Sequence, residues 1–144
     1  MKTPCENRAF FVSTKKEWFI FFLVKLVSFF FGTYLCFSLH HYFNVPVVLA
    51  AAFTGLVGSF WHWPKKYGNH PQAAIYAGAF AGMCSSAIIT GWEALLFISV
   101  VGAGVYTLTR NIFEGFGGRL GAIAFTAVSS LIFLRALFLS LIHI

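Results

Sequence analysis

Residues 18–39 read WFIFFLVKLVSFFFGTYLCFSL, an apolar run broken by a single charge, Lys25. As a helix this stretch rises about 33 Å, enough to cross a hydrocarbon core of about 30 Å. A polar tail over residues 1–17 precedes it, with Lys2, Arg8, Lys15 and Lys16 and one apolar cluster, Phe10 to Val12. The run is longer than an ordinary signal core, and Leu35 before Cys36 is not the small residue that precedes a lipidated cysteine. It reads as a retained first span, and its many phenylalanines place it at the lipid-facing periphery.

Four more apolar runs follow, over about 46–60, 72–89, 92–109 and 120–142. The basic residues occupy alternate connections only. Lys65 and Lys66 lie between the second and third runs, and Arg110 and Arg119 between the fourth and fifth. The connections around His40 to Asn44 and Thr90 to Trp92 hold no Lys or Arg. Because insertion retains Lys and Arg on the cytoplasmic side, the expected fold is an all-α, polytopic bundle of five transmembrane helices. Its N-terminus is cytoplasmic and its C-terminus outside, and it forms one domain over residues 18–144.

Composition supports that class. The chain is 59% hydrophobic and 10% charged, with mean hydropathy +0.81, which leaves little for a water-soluble domain. The net charge of +6 comes in small juxtamembrane groups, so anionic lipid headgroups account for it and no nucleic-acid partner is expected. Cys5, Cys36 and Cys84 form no CxxC pair and are expected at different depths, giving neither a disulfide framework nor a redox relay.

Small residues recur at four-residue spacing: Ala51, Gly55, Ser59; Ala74, Gly78, Gly82, Ser86; Ser99, Ala103, Thr107; and Gly118, Ala122, Thr126, Ser130. Such residues share a helix face and let backbones approach, so Gly55, Ser59, Gly78, Gly82, Ser86, Gly118 and Ala122 are expected at helix-packing faces. A short repeat accompanies them. Asn44-Val45-Pro46 precedes Ala52-Phe53-Thr54-Gly55, and Asn69-His70-Pro71 precedes Ala79-Phe80-Ala81-Gly82; in antiparallel spans the copies would be inverted.

Charges inside the spans are the candidate ligand or pathway residues. Arg135 lies deep in the fifth span, where a guanidinium either pairs with the depth-matched Glu93 or snorkels to outer headgroups. Lys25 is expected to snorkel to the cytoplasmic interface, and Glu114 to pair with Arg119 in a solvated loop. His40, His41 and His143 fall at the outer interface and His62 and His70 at the inner one, beside Trp61 and Trp63, without metal-ligand spacing. The glycine-rich run from Gly115 to Gly121 reads as a flexible turn, since no Lys-Ser or Lys-Thr follows it. The chain has no Asp, and no Glu is expected at the midplane. Neither a catalytic constellation, a metal site nor a cofactor is expected, and enzyme is the least supported class.

Phe43-Asn44-Val45-Pro46-Val47, followed by Gly55 and Gly58, resembles the opening of the small subunit of threonine/serine exporter-type proteins. The likeness covers this short stretch, and the later PxxPG element of that family is absent. It implies transport. From five short spans with little mass outside them, the expected function is a small inner-membrane transporter or channel component, lined by the small faces of spans two, three and five, with the fixed charge of Arg135 favouring an anionic or zwitterionic solute. It would act as a homo-oligomer or with another membrane protein. The alternative is a non-catalytic assembly subunit of a larger membrane complex.

Overall fold

The computed structural model describes residues 15–60, 70–84, 88–89, 91–109 and 118–142. Five α-helices follow one another, with no strand among the described residues: α1 (Lys15–Phe43), α2 (Val47–Phe60), α3 (His70–Ala81), α4 (Trp92–Leu108) and α5 (Arg119–Ile142). The protein is all-α. Two of its helices are long and apolar enough to cross a membrane, Trp18–Phe43 within α1 and α5, with mean hydropathies of 2.0 and 2.1. About a third of the apolar stretch of α1 (33%) and of α5 (28%) is buried inside the bundle. Val47–Phe60 and Trp92–Leu108 are shorter apolar helices.

The third helix departs most from expectation. Helix was expected over 72–89, but α3 ends at Ala81, and its 12 residues rise only about 18 Å. Tight closures end it: the Met83 amide donates to Phe80 at 3.3 Å and the Cys84 amide to Ala81 at 3.4 Å. These i to i−3 bonds satisfy terminal carbonyls without propagating the helix. Hydropathy stays high through Ile88 and Ile89 because apolar content says nothing about where backbone bonds close.

Side-chain neighbours fix the helix directions. Gly78 of α3 and Gly82 just past its end meet Phe29 and Thr33 of α1 in the same order, so these two helices run the same way. Lys25 meets Tyr106 and Phe29 meets Gly102, so α4 runs against α1. Ser59 meets both Gln72 and Tyr76, which sets α2 against α3. Arg119 lies near Tyr106 at the end of α4, while Arg135 reaches Ile88, just before α4 begins, so α5 runs against α4. The repeat copies at Gly55 and Gly82 thus occupy antiparallel helices, although Gly82 already lies beyond the end of α3.

α1 is central, which corrects its expected place at the periphery: it packs against α2, α3 and α4. The cause is a stripe of its own, Lys25, Ser28, Phe29, Gly32, Thr33 and Cys36, buried residues three or four apart along one face. Gly32 lies against the backbone of Ile75 and Ala79, and Gly78 against that of Phe29. This reciprocal approach brings the two backbones into direct contact, which side chains larger than hydrogen forbid. Phe29, which is fully buried, fills the space beside Gly102.

The turn after α1 closes locally. Asn44 takes the left-handed conformation (φ 51°), the Val45 amide returns to the Leu39 carbonyl at 3.3 Å, and His40 Nδ1–H donates to the Val45 carbonyl at 3.0 Å.

Candidate functional site

Buried hydroxyls in this bundle mostly bond within their own helix. Thr33 donates to Phe29, Thr54 to Ala50, Ser99 to Leu95 and Thr107 to Ala103, all at 2.7–2.9 Å. Such back-bonds spend the hydroxyl protons within the helix. The small faces of α2 and α3 are also filled: Gly55 lies under the Tyr76 ring and Gly58 against Ile75. The lining expected from spans two and three is a packed contact.

Among the described residues, a polar cluster that is not closed in this way lies where α4 ends and α5 begins; Ser38 Oγ, farther along α1, is also buried without a hydrogen-bond partner. Lys25 is only 1% exposed, and its Nζ lies 4.7 Å from the centroid of the Tyr106 ring and 5.0 Å from that of Phe21. The Arg119 guanidinium carbon lies 5.1 Å from the same Tyr106 centroid. One buried ring, 2% exposed, therefore holds two cations supplied by α1 and α5. The negative face of an aromatic ring attracts cations, and more so when both are desolvated. Ser28, one turn beyond Lys25 on the same face of α1, is 2% exposed with a hydroxyl that has no hydrogen-bond partner. Arg119 Nε and Nη2 are likewise buried without a hydrogen-bond partner.

This arrangement corrects the snorkelling expected of Lys25. Its stem extends into the bundle toward α4, because Lys25 belongs to the same stripe as Ser28, Gly32 and Cys36. That spacing was a sequence signal: a small-residue ladder in α1 that shows which way Lys25 points. Tyr106 and Arg119 carried no comparable signal, since one resembles any apolar-span aromatic and the other any juxtamembrane charge. Glu114, the expected partner of Arg119, lies outside the described residues.

Arg135 occupies the opposite end. It donates from Nη1 to the Ile88 carbonyl at 2.6 Å, beside the irregular segment that follows α3. Nonhelical backbone in an apolar setting needs such a donor, and the guanidinium supplies it. Glu93, its expected partner, is exposed in the first turn of α4, and no ion pair joins the two among the described residues.

The remaining expectations divide. Gly55, Gly78 and Gly82 lie at close helix contacts, and Ser59 Oγ joins the Gly55 carbonyl (3.1 Å) and the Tyr76 hydroxyl (2.7 Å). Gly118 and Ala122 do not pack. Gly118 has nothing within 4 Å and Ala122 is exposed, because α5 turns Ile123, Ala124, Ala127 and Leu131 inward instead. Cys36 and Cys84, expected at different depths, are brought to one level. A Cβ on Gly82, two residues before Cys84, would lie 3.0 Å from Cys36 Cβ, and both thiols are free. His41 stacks on Phe37 at 5.3 Å between centroids. The tail before Lys15, Trp61 to Asn69, Ser86, Arg110 and His143 lie outside the described residues.

No family model, curated protein or solved structure matches this chain.

Proposed function

We propose that this chain is a small multi-pass inner-membrane protein, a transporter or channel component that takes an anionic or zwitterionic solute at the Lys25, Tyr106 and Arg119 cluster. The observation that carries the proposal is the placing of two cations against one buried ring. Buried cations in an apolar bundle are costly, and they commonly mark ligand or ion sites. The membrane setting is supported by α1 and α5 and by their exposed apolar side chains, among them Phe133 and Phe138. The alternation of basic connections supports a cytoplasmic N-terminus, with the cluster near the cytoplasmic end.

Flux into proteoliposomes tests the reading, using a panel of inorganic anions, carboxylates and amino acids. Uptake above the protein-free rate, lowered by Arg119→Gln, is the expected result. Uptake no faster than in protein-free vesicles for every solute would remove it.

A second reading, an assembly subunit of a larger membrane complex, is favoured by one observation. The Gly118, Ala122 and Thr126 ladder of α5 is exposed, open for another helix. Isolation in mild detergent separates the readings: self-association alone fits the transporter, and a stoichiometric unrelated membrane protein fits the subunit.

A further inference from the structure

We infer that the cluster around Tyr106 takes a phosphate group, whether of a soluble phosphate or of a lipid headgroup. This inference rests on the anion-handling reading above and narrows its ligand. Two cations on one ring favour a doubly charged oxyanion over a carboxylate. Arg119 presents Nε and Nη2, the two parallel N–H groups of the guanidinium edge, both buried and without hydrogen-bond partners. That edge by itself engages two oxygens in the bidentate manner of arginine with oxyanions. Ser28 adds a hydroxyl that is 2% exposed and has no hydrogen-bond partner, set on the α1 stripe that also carries Lys25.

A carboxylate engaged by the Arg119 edge carries one negative charge, which leaves the second cation uncompensated. A phosphate monoester has three terminal oxygens spread tetrahedrally, so it can accept from the Arg119 edge and still offer an oxygen to a donor on α1. Its second negative charge matches the second cation, Lys25, which shares the Tyr106 ring with Arg119. The apolar wall formed by Phe21 and Tyr106 lowers the local dielectric and strengthens each of these contacts.

Thermal unfolding of the full chain in maltoside micelles, which contain no phosphate, tests the inference. A ligand bound only by the folded state raises the midpoint with concentration. Inorganic phosphate is titrated against acetate at equal ionic strength, and phosphatidic acid against oleic acid in the same micelles. Stabilisation by phosphate beyond that by acetate is expected if the ligand is soluble. Stabilisation by phosphatidic acid beyond that by oleic acid, without a phosphate response, identifies a lipid headgroup.

Arg119→Lys keeps the charge and loses the bidentate edge, so it shifts the half-effect concentration upward by about tenfold. Ser28→Ala shifts it less. Equal responses to phosphate and acetate, together with equal responses to phosphatidic and oleic acids, would overturn the inference, as would an unchanged titration in a folded Arg119→Lys chain. Should that variant fail to fold, the wild-type comparison still decides. Phosphate binding without flux would leave this inference standing and remove transport; carboxylate flux without phosphate binding would do the reverse.

Discussion

Gly78 of α3 lies directly against the main-chain carbonyl of Phe29 in α1. The neighbour is backbone, which has no rotamer to change, so an added methyl forces the helices apart. Gly78→Ala should destabilise the folded chain by about 1–3 kcal/mol. Gly104→Ala, which meets nothing within 4 Å, should be neutral or stabilising by up to about 1 kcal/mol through helix propensity. Unfolding in mixed micelles compares the two, and equal effects would contradict the α1 to α3 contact.

That contact shows where sequence reading succeeded and where it stopped. The number of helices followed from apolar runs and their breaks, and Gly78 and Gly82 stood out by spacing. The central place of α1 did not, because the span is apolar on nearly every side and lipid exposure cannot be told from burial by hydropathy. Ser28, Gly32 and Cys36 did carry the signal, masked by the surrounding phenylalanines. The ladder of α5 misled for the complementary reason. Small residues permit close packing without dictating it: α5 turns Ile123, Ala124, Ala127 and Leu131 inward, and Gly118, Ala122 and Thr126 are left exposed. The end of α3 was illegible because it is set by where backbone bonds close, Met83 to Phe80 and Cys84 to Ala81, in a stretch whose composition stays apolar.

Replacing Tyr106 should separate its ring face from its bulk. Tyr106→Phe keeps a π face for Lys25 and Arg119 and should cost no more than a hydroxyl contributes, about 1 kcal/mol. Tyr106→Leu removes both cation contacts and should cost about 2 kcal/mol or more. A double-mutant cycle with Lys25→Met measures the coupling directly, and additive effects would show that ring and ammonium do not interact.

Arg135 should act on the segment after α3. Arg135→Leu deprives the Ile88 carbonyl of its donor at a cost of about 1–3 kcal/mol, and hydrogen exchange at Ile88 and Ile89 should quicken. Glu93→Gln should leave that exchange unchanged, because Glu93 is exposed and makes no ion pair with Arg135 among the described residues. Accelerated exchange in Glu93→Gln would restore the ion-pair account of this end.

Burial of Lys25 predicts its chemistry toward a water-soluble acylating reagent. A snorkelling ammonium would sit among headgroups and react soon after mixing, whereas one that is 1% exposed between α1 and α4 must wait for the helices to separate. Peptide mass spectrometry of the folded chain should find Lys25 essentially unmodified at times when the dodecyl-sulfate-denatured chain is fully labelled there. Tyr106→Ala, which removes most of the ring wall, should bring labelling toward the denatured rate. Rapid labelling of the native chain would mean that the ammonium reaches water, and the two-cation arrangement on Tyr106 would then not describe the protein in its bilayer.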